Sequence, residues 1–182
     1  MSHKNVLAVD FGASSGRVML GNFDGNRLSI QEIHRFPNDP VILNGTMYWD
    51  FLRLFYEVKQ GLMKAKKYGK IDSIGVDTWG VDFGLIDKEG NLLENPVHYR
   101  DARTAGMLEK SFGKMDKDRF YQITGSQFME INTVFQLLAL LEKRPGLLEG
   151  TSRLLLMPDL FNYYLCGAQV REYSIASTTQ ML

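Results

Sequence analysis

Apolar and polar positions follow two different rhythms along this chain, and the change of rhythm marks the elements. Val6–Val9 is a short continuous apolar run, which predicts a strand buried on both faces. Arg17–Phe23 and Leu28–Phe36 flank Asp24-Gly25-Asn26, whose Asp-Gly pair suits the positive φ of a hairpin turn. The first three strands therefore read as an antiparallel meander. From Phe51 the period lengthens, with Phe51, Phe55, Val58, Leu62 and Ala65 at helical spacing. Asp50 precedes them as an N-cap, Trp49 and Leu54 are placed as a hydrophobic staple, and the helix ends near Gly69. Ile71–Asp77 returns to a buried strand, and Phe83–Ile86 with the turn Asp87–Gly90 predicts a hairpin-like unit. Beyond Arg103 the pattern is mostly helical, over Thr104–Phe112, Lys117–Ile123, Thr133–Lys143 and Asp159–Leu165, with Leu154–Met157 as a strand. A meander, a crossover helix and a returning strand make an α/β mixed sheet with flanking helices.

Composition narrows the class. The 182 residues suit one domain, and no repeat, low-complexity tract or Gly/Ser/Pro-rich linker divides them, so 1–182 is expected to be a single lobe. Lys and Arg number 21 and so do Asp and Glu, which gives no reason to expect nucleic acid or an anionic membrane as partner. The apolar runs Leu137–Leu141 and Leu154–Met157 are too short to span a bilayer, and Asp10 interrupts any signal-peptide core. A lone cysteine, Cys166, excludes an internal disulfide framework and fits a reducing cytoplasm. His3, His34 and His98 are isolated, with no Cys/His spacing for zinc.

The candidate chemistry begins at Asp10–Arg17, DFGASSGR. Asp10 ends the first strand, where open α/β sheets place ligand crevices. Gly12 and Gly16 permit positive φ and close backbone approach. Ala13, Ser14 and Ser15 are small enough for their N–H groups to face a polyanion, and Arg17 could meet a phosphate. Asp10 could hold Mg²⁺ through water. A Gly/Ser hairpin turn with an exposed aspartate explains the same residues. The stretch is not a Walker A loop, because it lacks Gly-Lys-Ser/Thr and a strand follows it. The two Asp-Phe-Gly triplets, at Asp10 and Asp82, lack the other protein-kinase motifs.

A second stretch, Ile74–Asp87, places Asp77 at a strand end and Gly80 after it. Trp79 and Phe83 could wall a small-molecule pocket, with Asp82 or the backbone of Gly80 and Val81 offering polar contacts. The alternative is a strand–turn–strand whose aromatics are core. Tyr99–Thr104 reads as a solvated helix cap with Asp101 near the N-terminus. Gln127 and Asn132 suit either hydroxyl contacts or capping.

Taken in order, VLAVDFGASSGRVML, IDSIGVDTWGVDFGLID, VHYRDART and LLLMPDLFNYYLCG resemble the amino-terminal half of the rhamnulokinases. These belong to the FGGY carbohydrate kinases, in the actin/hexokinase superfamily. The resemblance covers about Asn5 to Leu182. It implies a ribonuclease-H-like lobe and ATP-dependent, Mg²⁺-assisted phosphorylation of the 1-hydroxyl of L-rhamnulose. By the family pattern Asp10 is the metal-and-phosphate aspartate, Ala13 to Arg17 contact the ATP phosphates and Gly80 lies against the sugar; Gly12 of the same loop, and Trp79, Asp82 and Asn132 on the sugar side, are candidates from the residues themselves. It also implies that the catalytic base lies in a carboxyl-terminal lobe absent here, so no catalytic residue is assigned and the chain alone is expected to be inactive. A lobe that faces such a partner should expose a cleft surface and self-associate through it. A related ketose or polyol kinase and a non-catalytic sugar- or nucleotide-binding module are the competing readings.

Overall fold

The computed structural model describes residues 3–182. Its strands are β1 (Lys4–Phe11), β2 (Ser15–Phe23), β3 (Leu28–Pro37), β4 (Val41–Leu43), β5 (Thr46–Tyr48), β6 (Ser73–Asp77), β7 (Phe83–Ile86) and β8 (Arg153–Leu156). Its helices are α1 (Phe51–Ala65), α2 (Met107–Phe112), α3 (Lys117–Thr124), α4 (Thr133–Lys143), α5 (Pro145–Glu149), α6 (Met157–Cys166) and α7 (Tyr173–Ala176). They fall into two compact units: residues 1–39 with 50–79, and residues 40–49 with 80–182.

The first unit is a four-stranded mixed sheet ordered β3-β2-β1-β6, antiparallel through the meander and parallel between β1 and β6. The expected meander is thus present. Asp50 caps α1 as expected, accepting from the Arg53 N–H at 3.1 Å. Gly69, at φ 87, ends the short 3-10 turn that follows. Leu54 and Val58 of α1 are buried, as are Leu7 and Val9 of β1 and Val18 of β2. The helix lies on β2 so closely at Gly61 that a Cβ there would stand 2.4 Å from Val18 Cγ2.

Two strands differ from expectation. In β1 only Leu7, Val9 and Phe11 are buried while Ala8 is exposed, and β6 is mostly exposed, with Ile74 44% accessible. A helix covers one face of this sheet, and β6 is its edge, so within the unit neither strand is buried on both faces.

The second unit is built on β7 and β8, an antiparallel pair, with a separate β4–β5 hairpin. That hairpin turns on Asn44 (φ 50) and Gly45 (φ 78), a left-handed pair that Asn-Gly adopts readily. Its two strands lie outside the elements expected from the apolar pattern, on an Asn-Gly turn signal. The expected turn after β7 is present: the Asp87 N–H donates to Asn91 O, and Asp87 Oδ1 accepts from the Asn91 N–H. α4 spans the expected residues and serves two apolar clusters. Leu140 packs with Phe83, Leu85 and Leu156, and Phe135 and Ala139 pack with Met107 and Phe120. Among the described residues no helix is long and apolar enough to cross a membrane.

Candidate functional site

In the first unit, the β1–β2 register sets Asp10 opposite Arg17, and the parallel β1–β6 register sets Asp10 beside Asp77. Arg17 Nε donates to Asp10 Oδ2 at 2.8 Å. Both side chains are solvent-accessible, so the pair contributes about 1 kcal/mol at most and opens easily. Between them the chain turns tightly. The Gly12 N–H donates to Ser15 O at 2.9 Å, the Asn38 N–H to Ser14 O at 3.1 Å, and Asn38 Nδ2 to Gly12 O at 2.7 Å. Asn38 is buried and clamps the loop from the end of β3, a role its sequence context did not signal. Carbonyl oxygens repel a polyanion, so their occupation by protein donors suits a phosphate loop and a plain turn alike. Arg35 adds a second cation, its Nη1 3.4 Å from Ser15 Oγ and its other end paired with Glu32.

The positive φ expected of the loop glycines is not found. Neither Gly12 nor Gly16 has positive φ. Gly16 is required because a Cβ there would lie 2.3 Å from the Phe36 ring, which itself packs edge-on against Phe11 at 5.6 Å. Phe11 also meets Trp79 edge-to-face at 6.3 Å, leaving that indole half-buried.

The family resemblance implies Mg²⁺. The Asp10 and Asp77 carboxylates, on neighbouring strand ends and open to solvent, are hard oxygen donors with room for water ligands, as Mg²⁺ prefers. Among the described residues no cluster of three or more His, Cys, Asp or Glu could enclose a metal. The residues fit the ion on one condition, that Arg17 release Asp10.

In the second unit, Gly80–Asp82 forms a strained turn. The Asp82 N–H donates to Gly80 O at 2.9 Å, across Val81 at φ 66. This is a γ-turn of the rare positive-φ kind, and a β-branched residue is the least suited to it. Gly80 itself is not in the left-handed region. A Cβ there would meet Thr178 at 3.1–3.2 Å, so its lack of a side chain serves Thr178 as well as any ligand.

The Asp82 carboxylate has 0% exposure. Its Oδ2 accepts from Trp49 Nε1 at 2.6 Å and from the Tyr99 N–H at 3.1 Å, and its Oδ1 from Gln136 Nε2 at 2.9 Å. The expected polar contact from Asp82 to a sugar is therefore corrected: the group is a buried hub that joins β7, α4 and the segment before α2. Asn132 is also buried, its amide donating to Gln127 O at 2.9 Å and to Gln180 Oε1 at 2.7 Å. It stands at the N-cap position of α4 without capping through its side chain, so the expected side-chain cap is not formed.

Nor is Tyr99–Thr104 a solvated cap. Asp101 does accept from the Arg103 N–H at 2.9 Å, but it is buried and its other oxygen accepts from the Met47 N–H at 2.8 Å. Arg103 turns inward to Gln136 Oε1, and burial holds its guanidinium below the usual range while Asp82 and Asp101 pull it back up. His98 stacks on Trp49 at 3.9 Å. Burial first, and the charge of Arg100 second, push its pKa down to about 4, so the ring is neutral. A separate cavity of about 590 Å³ beside α3 and α4, walled by Met115, Phe120, Ile123, Leu138 and Leu141, contains none of the expected site residues.

Comparison with known proteins bears on both regions. The N-terminal domain of the FGGY family of carbohydrate kinases matches residues 5–182. The rhamnulokinase of Oceanobacillus iheyensis is 44% identical over 177 residues, 97% of this chain and 38% of that protein. The rhamnulokinase of Bacteroides thetaiotaomicron is 44% identical over 180 residues, 98% of this chain and 37% of that protein. The chain thus spans under two-fifths of the length of these curated relatives. Among solved structures, a gluconate kinase from Lactobacillus acidophilus superposes with a TM-score of 0.85 at 17% identity, over 100% of this chain and 37% of that one. A ligand-bound xylulose kinase from the same organism gives 0.85 at 16% identity, over 98% of this chain and 36% of that one. At such identities the two structures speak for the fold, the α/β lobe of ribonuclease-H type expected above.

Proposed function

The chain belongs to the FGGY family of carbohydrate kinases, as its N-terminal domain, and from that premise we propose that it serves cytoplasmic, ATP-dependent phosphorylation of the 1-hydroxyl of L-rhamnulose. The observation that carries the reading is the 44% identity to rhamnulokinases across essentially the whole chain.

Phosphoryl transfer asks a protein for positioning and charge neutralisation more than for covalent chemistry. In this reading Ala13, Ser14 and Ser15 receive the ATP phosphates, with Gly12 and Gly16 shaping the turn. Arg17 leaves Asp10 for a phosphate oxygen, exchanging one charge-assisted bond for another. The freed Asp10, with Asp77 beside it, would hold Mg²⁺ through water; when bound, that ion supplies the neutralisation of phosphate charge. On the sugar side the backbone of Gly80 lies against the ketose, while Asp82 and Asn132 support the turn and helix behind it. The general base that takes the proton from the sugar hydroxyl is supplied by a second, carboxyl-terminal lobe, which is the partner this reading requires, and the chain by itself does not turn over.

The test is a coupled assay with ATP, Mg²⁺ and L-rhamnulose, run on this chain alone and on the chain joined to the rest of its reading frame. Activity only in the joined protein, abolished by Asp10→Ala, is the expected result. Turnover by the 182-residue chain would overturn the proposed division of labour. Preference for another ketose or polyol would overturn the substrate.

A further inference from the structure

Val81 is held in its unfavourable conformation from outside its own segment. Its N–H donates to Thr178 Oγ1 at 3.1 Å, and its carbonyl accepts from Thr133 Oγ1 at 2.6 Å. Neither partner is near in sequence: the separations are 97 and 52 residues. Thr178 is itself fixed, since its hydroxyl donates to Ile175 O at 2.7 Å and its side chain packs on Gly80 at 3.1–3.2 Å from where a Cβ would be. Thr133 is fully buried at the first turn of α4. Gln136, one turn further along α4, reaches Val81 O at 3.4 Å and Asp82 Oδ1 at 2.9 Å. Every backbone polar group of Val81 is thus met by a hydroxyl or amide whose own position is set elsewhere. A backbone strained in this way persists only when its surroundings over-determine it, and such strain concentrates at ligand sites.

We infer that Thr133 and Thr178 are positioning residues of the sugar site: their two hydroxyls clamp Val81 and so fix the backbone of Gly80 in the conformation that meets the sugar. The inference rests on the reading of Gly80 as a sugar contact. It adds two threonines from the far half of the chain that neither motif contains. Neither touches the substrate; each acts through Val81. Valine at either position keeps the shape and removes the hydroxyl, while serine keeps the hydroxyl.

The experiment uses the ¹⁵N-labelled 182-residue chain and two measurements on each of wild type, Thr133→Val, Thr133→Ser and Thr178→Val. Amide hydrogen exchange of Val81 and Asp82 reads the turn without any ligand. Titration with L-rhamnulose, followed at the Gly80 amide, reads the affinity. The clamp predicts exchange at Val81 and Asp82 faster by about tenfold in both valine variants, and a Kd for the sugar raised by about tenfold. Thr133→Ser should return both to within about twofold of wild type. Unchanged exchange in the valine variants overturns the clamp whatever the sugar does. Faster exchange with an unchanged Kd overturns its link to the sugar. A wild-type chain whose Gly80 amide does not respond to the sugar defeats the functional reading itself, and the inference with it. Should Thr133→Val fail to fold, Thr178→Val by itself carries the same three outcomes.

Discussion

The two turns that carry the candidate chemistry are built in opposite ways. The turn from Asp10 to Arg17 is an exposed hairpin bonded within itself and to Arg35 and Asn38, no more than 26 residues away. Arg17 is seven residues from Asp10, and Gly12 bonds to Ser15. The turn from Gly80 to Asp82 is half-buried to buried, strained at Val81, and bonded to residues 17 to 97 positions away. An exposed hairpin relaxes when a contact is lost, because water replaces the missing partner. A buried strained turn cannot, because nothing replaces it. The first turn is thereby suited to exchange partners, as the proposed move of Arg17 from Asp10 to a phosphate requires. The second is suited to hold one geometry.

Substitutions should expose the difference, beginning with the largest. Asp82→Ala removes the acceptor shared by Trp49 Nε1–H, the Tyr99 N–H and the Gln136 amide, and one of the countercharges of Arg103. It should cost about 3–5 kcal/mol in a urea unfolding curve. A loss below about 1 kcal/mol would show that the second turn relaxes as freely as the first. Gly16→Ala drives a Cβ into the Phe36 ring and should cost about 1–3 kcal/mol, recovered in part by Phe36→Leu. Without that recovery, the glycine answers to something other than Phe36.

The pH response should come from the buried region. Folding lowers the pKa of His98 from 6.5 to about 4, so as pH falls the unfolded chain takes up the proton first. The stability held above pH 6.5 is lost progressively down to about pH 4 and levels off below it. Asp159, whose pKa burial raises, works in the opposite direction as pH falls toward the ordinary carboxylate range. Calorimetry should show Tm falling by about 5 °C between pH 6.5 and 4.5, with His98→Gln flattening the slope. An unchanged slope in that variant would remove His98 as its cause.

The smallest stability effect should fall on the exposed turn. Arg17→Ala should change stability by less than about 1 kcal/mol, since it breaks only a solvent-accessible pair. Nucleotide affinity should nonetheless fall about tenfold by titration calorimetry, through loss of a charge-assisted phosphate contact. A large stability loss with intact nucleotide binding would invert the comparison.

Local chemistry was legible where the structure is local. The Asp-Gly turn of the meander, the Asp50 cap, the helical spacing of α1 and the bounds of α4 all follow from residues within a few positions of one another. The hairpin at Asn44-Gly45 is equally local, a left-handed pair between two three-residue strands. Asn38 under the first turn, and Thr133, Gln136 and Thr178 around the second, gave no such sign. A threonine at the start of a helix looks the same whether its hydroxyl meets water or a carbonyl 52 residues away.

By itself, then, the amino-acid sequence determined the family, the meander with its crossover helix, and the turn from Asp10 to Arg17, because periodicity, caps and turn residues act over a few positions. Only the tertiary structure decided that Gly16 makes room for Phe36, that Asp82 is a buried hub and no ligand, and that Val81 is held left-handed by two threonines. Those depend on side chains meeting across long stretches of chain, where packing and the need to satisfy every buried polar group override local preference.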